Sequence, residues 1–234
     1  MVAELPRPTR PLTGGKAWTW KWRDPTARRP WAWHRIYHHG PHTPTACTHR
    51  VNGPRGRLDP HTVAPHGNPW DCPEGRTVLY VAGSIATALG EVYGDTFAAE
   101  VCPNTRVALL RPAIPIAVLD LRSEGSAMRI GALPSLATGA HPRERTKEWA
   151  RAIYEDQPVR GRTVRGVYYD AAHTNGPALA LWDAAGDVAV IQDARGGEQD
   201  FALADPRLWP RVVAATHQVG MRADLVTRCD QCSS

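Results

Sequence analysis

Hydrophobic and polar positions change period several times along this chain, and each change falls at turn-forming residues. Val78, Leu79, Tyr80 and Val81 form a short β-rich run that ends at Gly83-Ser84. From there the pattern turns helical. Ser84 is placed as N-cap, with Ile85, Ala88, Leu89 and Val92 as the apolar stripe. Glu91 falls at the edge of that stripe, where a carboxylate can reach into a cleft beside the sheet, although periodicity alone favours a surface glutamate. Strands are expected at Val107–Leu110, Ile114–Leu121, Val164–Tyr169, Ala178–Trp182 and Val188–Ile191, the last after the turn Ala185-Gly186-Asp187. An amphipathic helix is expected over Arg143–Asp156, with Trp149, Ala152 and Ile153 on its buried side, and a closing helix over Leu208–Thr216. Strands and helices interleave without a βαβ rhythm, and the late strands sit at hairpin spacing. The fold class expected is therefore α+β, a twisted and mostly antiparallel sheet with flanking helices.

The N-terminal region has a different texture. Trp18, Trp20 and Trp22 alternate in AWTWKW, as in a short half-buried strand or an aromatic clamp, and five of the nine tryptophans precede residue 34. That much aromatic surface needs cover, so residues 1–32 are expected to fold back as an arm on the body. Residues 33–216 would form the main domain and 217–234 a tail. Between His38 and Gly75 the chain is rich in Pro, Gly, His and Asn and reads as a long connection. His34, His38, His39, His42 and His49 have no metal-ligand spacing and are expected as solvated loop side chains.

Composition narrows the class. With 234 residues, 42% hydrophobic and 22% charged, the chain can bury a core without covalent staples. Its net charge is +5, from scattered arginines, and it has no helix-turn-helix, RNA-binding or zinc-finger signature. A phosphorylated small ligand or an acidic protein then fits better than nucleic acid. No apolar run has membrane-spanning length and MVAELPRPTR lacks a signal-peptide core, so a cytoplasmic protein is expected. The five cysteines are odd in number and spread out, which argues against a disulfide framework. Cys229 and Cys232 form a CxxC that would be half a zinc site, completed from Cys47, His49 or Cys72. The favoured reading is a tail with two free thiols and no metal.

Arg35 lies in WHRIY, where strand alternation puts Tyr37 on its face, and Arg57 projects from GPRGRLDPH between flexible glycines. Both guanidiniums suit a phosphate-bearing ligand, and for Arg35 an internal ion pair is at least as good an account.

The ordered series WHRIY, GRLDP, VLYVAGSIATALGEV, VLDL at 118–121, a Trp-containing helix and RGVYYDAAH resembles the RES-domain family, the toxin halves of Xre–RES toxin–antitoxin pairs. The resemblance runs from about Trp33 to Ile191. It implies an ADP-ribosyltransferase-like fold and consumption of NAD+, by hydrolysis or with inorganic phosphate as co-substrate. It also implies an Xre-type antitoxin partner and a toxin that is often dimeric. It carries the family's arginines to Arg35 and Arg57, its tyrosine to Tyr80 and its glutamate to Glu91. In this reading Glu91, Arg35 and Arg57 are catalytic, and Tyr80, Tyr37, Asp170 and Thr146 complete the NAD+ site. The family serine falls where this chain has Asp170, with Thr146 as the alternative source of a hydroxyl. Transfer of ADP-ribose to a protein, and an inactive RES-like binding protein, are the competing functions.

Overall fold

The computed structural model describes residues 4–9, 12, 17–20, 32–62, 74–138, 142–156 and 163–232. Trp22, Trp31 and Cys72 lie outside them. The chain forms strands β1 (Ala17–Trp20), β2 (Trp33–His38), β3 (Val78–Ala82), β4 (Ala98–Val101), β5 (Thr105–Pro112), β6 (Ile116–Asp120), β7 (Gly166–Asp170), β8 (Pro177–Trp182), β9 (Val188–Val190), β10 (Asp200–Ala202) and β11 (Arg222–Leu225). The helices are α1 (Ile85–Tyr93), α2 (Ser126–Arg129), α3 (Ser135–Thr138), α4 (Arg143–Glu155) and α5 (Trp209–Gln218). Nine strands make one sheet in the order β1-β6-β7-β8-β3-β2-β5-β10, with β9 also on β5. Only the β6–β7 pairing within it is parallel, and β11 pairs in parallel with β4 in a separate ribbon. The α+β, mostly antiparallel architecture read from the sequence is the one observed.

Strand alternation divides this sheet into two different faces. Trp33, Tyr37, Leu79, Val81, Leu110 and Leu179 pack together on one side. On the other, Val78, Tyr169, Ala180 and Trp182 pack against Trp149 and Ile153 of α4, while Ile36, Ala82 and Val107 pack against Leu89 of α1 and Val212 of α5. The sheet is strongly curled. Trp33 and Tyr168 are three strands apart, about 14 Å in a flat sheet, yet their ring centroids are 6.1 Å apart at 88°.

Most sequence-read elements are present with shifted ends, as fraying and turn chemistry dictate. In α1, Ser84 accepts from Thr87 N–H as N-cap, but Val92 is exposed instead of buried. The reason is a second packing partner. The loop following β7 lies so close that a Cβ on Gly90 would come 2.5 Å from Thr174 Cγ2. Burial in α1 therefore extends over Ala86–Gly90, and the outer stripe position opens to solvent. The short β4, β10 and β11 and the one-turn α2 and α3 are additional. Two described pieces of the N-terminal region lie against the body. Leu5 is buried in the core beside Trp149, whose Nε1–H donates to Pro6 O at 2.8 Å, and β1 pairs with β6.

His39 and His42 are exposed as expected, but other histidines of β2 and of the connection after it are not. His49 and His61 are buried and His34 is half-buried. His61 Nε2 lies 2.9 Å from Arg76 O and is its donor. Burial holds His34, His49 and His61 below the usual 6.5. The unfolded chain takes up these protons near pH 6.5 while the native state resists them. Their stabilisation is complete above that pH and is lost as pH falls through the native values. Urea midpoints are expected to fall from pH 7.5 to 5, less steeply in His61→Gln. A flat or rising midpoint would contradict this.

Candidate functional site

The site grows from the turn before β3. Asp59 is completely buried and is the hub of that turn. Both its oxygens accept from Arg50 Nη2 at 2.7 Å, Oδ2 accepts from the N–H groups of Arg55 and Gly56 at 2.6 and 2.9 Å, and Oδ1 accepts from Tyr80 OH at 2.7 Å. Tyr80 OH in turn accepts from Leu58 N–H at 3.2 Å. Gly56 is required by this contact, since a Cβ there would sit 2.5 Å from the Tyr80 hydroxyl. The turn is thus tied to β3, and Arg57 is aimed by it.

Arg57 reaches across the sheet's helical face. Its Nη2 donates to Leu136 O in α3 at 3.2 Å, and its guanidinium lies 5.6 Å from the centre of the Tyr169 ring. Nε and Nη1 are buried and have no acceptor among the described residues. Buried cationic donors without an acceptor are costly and rare. An anion placed beside them would satisfy both.

Tyr169 links Arg57 to Glu91. Its hydroxyl donates to Glu91 Oε2 at 2.8 Å, and Ala172 N–H donates to Oε1 at 3.1 Å. Glu91 is half-buried and held from two sides. Burial, then the neighbouring Glu91 charge, raise the Tyr169 phenol well above its ordinary value, so it stays a donor. Burial and Asp59 do the same for Tyr80.

The remaining expected site residues lie elsewhere. Arg35 and Tyr37 point to the opposite face of the sheet, because strand alternation places them with Trp33. There Arg35 donates to Ala46 O and stands 5.5 Å from the Tyr37 ring. Burial lowers it to about 10, against the raising influence of Cys47, Tyr37 and Asp200, so it remains a cation. Tyr37 OH donates to Asp200 at 2.6 Å, and Arg106 also pairs with Asp200 at 3.0 Å. Tyr37, Cys47, Arg106 and Asp200 border a cavity of about 570 Å³, away from Glu91. A two-guanidinium clamp around Glu91 is therefore not what the structure shows: Arg57 is there and Arg35 is not.

Asp170 shares its strand face with Tyr168 and pairs with Arg122 at 2.5 Å, so its charge is neutralised by a local arginine. Thr146 is completely buried in α4, with its hydroxyl donating to Arg143 O at 2.9 Å. It supplies no hydroxyl to the site. Two participants were missed in the sequence, Asp59 inside GRLDP and Tyr169 inside GVYYD. For Tyr169, period-2 alternation separates it from Asp170, and only the packing of the helices makes its face the one that carries Glu91.

A family model described as the RES domain matches residues 32–204. The chain belongs to the RES-domain family. Its RES domain thus begins at the strand carrying Arg35 and ends just after β10. No curated protein sequence matches the chain. Among solved structures, the M. tuberculosis MbcT-MbcA toxin-antitoxin complex contains a similar chain at 16% identity and a TM-score of 0.46, covering 84% of this chain and 92% of that one. Among the described residues, no helix of this RES protein is long and apolar enough to cross a membrane.

Proposed function

We propose that this RES protein is a toxin that consumes NAD+ by breaking the nicotinamide–ribose bond. The observation that carries the reading is the Arg57–Tyr169–Glu91 constellation, with unsatisfied guanidinium N–H groups and an oriented carboxylate on the same side of the sheet. Nicotinamide leaves as a neutral molecule, taking the bonding electron pair, and the ribose carbon becomes oxocarbenium-like. Glu91 stabilises that positive charge and orients the acceptor. Arg57 binds the diphosphate through Nε and Nη1, fixing the ribose against Glu91. With water as acceptor the products are nicotinamide, ADP-ribose and a proton. With inorganic phosphate they are nicotinamide, a 1″-phosphorylated ADP-ribose and a proton. Tyr80 acts as a positioning residue, through Asp59 and the turn that aims Arg57. An Xre-type antitoxin that plugs the cleft is the partner this reading implies.

Incubation with NAD+ is expected to release nicotinamide, and adding phosphate separates the two acceptors by product mass. NAD+ binding without release would leave a binding protein, and ADP-ribose on protein side chains would replace either reaction by transfer. Arg57→Lys keeps the charge but loses the planar fork. Loss of charge-assisted hydrogen bonds predicts a kcat/KM lower by about 10- to 100-fold, mainly through KM. An unchanged KM would remove Arg57 from substrate binding.

A further inference from the structure

Four side chains from three separate parts of the chain converge outside the Arg57–Tyr169–Glu91 constellation. His38 ends β2, Cys102 follows β4 at the start of the turn into β5, and Cys229 and Cys232 follow β11. Their ligand atoms all lie within 4.8 Å of one another. The three sulfur–sulfur separations are 3.5 Å (Cys102–Cys229), 3.6 Å (Cys102–Cys232) and 3.8 Å (Cys229–Cys232), and His38 Nε2 is 3.2 Å from Cys232 Sγ. Zinc–sulfur bonds of about 2.3 Å in a tetrahedron place sulfurs about 3.8 Å apart. A disulfide would pair two sulfurs at about 2.05 Å and leave the third out. Three nearly equal separations match a shared central ion, not a bond.

We propose that His38, Cys102, Cys229 and Cys232 bind one structural zinc ion in a closed Cys3His site. The surroundings are those of a metal knuckle. Cys232 N–H donates to Cys229 O at 2.9 Å, giving the tight CxxC turn, and Thr105 N–H donates to Cys102 O at 3.0 Å in the facing turn. Cys102 is fully buried and the other three are half-buried, so four donors and no open position face the centre. Asn104 Nδ2 lies 3.9 Å from Cys232 Sγ, placed to orient that sulfur. Binding converts three thiols to thiolates and releases three protons, with His38 neutral.

The consequence is mechanical. The ion would fasten the C-terminal segment, the β4–β5 turn and the end of β2 to one another, closing a ribbon whose only backbone pairing is β11 with β4. The C-terminal CxxC is therefore a clasp on the fold. The partners it takes are His38 and Cys102, not Cys47 or His49, because β2 and the β4–β5 turn end beside β11.

Metal analysis of untagged protein, purified without chelators and reconstituted with Zn2+, is expected to give about one zinc per chain. X-ray absorption should show three sulfurs at about 2.3 Å and one nitrogen at about 2.0 Å. Cys232→Ser and His38→Ala should lose the metal while Cys47→Ser keeps it. Removal by a mercurial reagent and chelator should lower Tm, and Zn2+ should restore it. Should the variants fail to fold, Co2+ loaded into the metal-free wild type decides: intense tetrahedral d–d and thiolate charge-transfer bands support the site. Zinc below about one-tenth equivalent after reconstitution, or zinc that survives both substitutions, would overturn it, as would a sulfur-free cobalt spectrum.

Discussion

Glu91→Gln is expected to reduce nicotinamide release by on the order of 10³-fold, the scale of losing one preorganised electrostatic group at a charge-developing centre. The substitution is close to isosteric, and the surroundings tolerate it. The glutamine carbonyl can still accept from Ala172 N–H, and its NH2 can donate to the Tyr169 hydroxyl, which rotates to accept. What disappears is the negative charge facing the ribose. The loss should therefore fall on kcat, with KM and the urea midpoint little changed. Glu91→Asp should also be poor, since the shorter side chain cannot hold both donors and reach the sugar. A Glu91→Gln protein that turns over NAD+ within about threefold of wild type would take the carboxylate out of the reaction; such a factor is below 1 kcal/mol.

Asp59→Ala carries the largest expected effect on stability. The substitution removes the acceptor for Arg50, for two backbone N–H groups and for the Tyr80 hydroxyl in one step. Breaking a buried pair by removing one partner costs about 3–5 kcal/mol, a large share of the marginal stability of any domain. The damage should reach function as well, because the same turn aims Arg57. Tyr80→Phe removes one donor of this set and should cost about 1 kcal/mol. Urea unfolding measures both. If Asp59→Ala unfolds within about 0.5 kcal/mol of wild type, the turn is not organised around that carboxylate.

The legible part of this protein was the part governed by short-range pattern. Val78–Val81, the Ser84 cap and the Trp149 helix follow from periodicity and capping, and they are present. Glu91 at the edge of its helix follows from the same reasoning, and there it accepts from Tyr169 OH and Ala172 N–H. Long-range geometry was not legible in that way. Arg35 and Arg57 look alike as arginines near glycine or aromatic neighbours, but one belongs to a strand whose alternation turns it to the opposite face. No local signal says which face the helices will cover. His38 and Cys102 are also unremarkable in isolation; only the pairing of β11 with β4 brings the distant CxxC to them. Val92 shows the same limit on a smaller scale, exposed because a loop some eighty residues later occupies the other flank of its helix.

The disposition of the site on the helical face is tested most directly by a structure of Glu91→Gln with NAD+ bound. The diphosphate oxygens should accept from Arg57 Nε and Nη1, with the nicotinamide ribose against residue 91 and the Tyr169 ring beside it. A dinucleotide lodged instead by Tyr37, Arg106 and Arg35, with Arg57 still lacking an acceptor, would contradict the account.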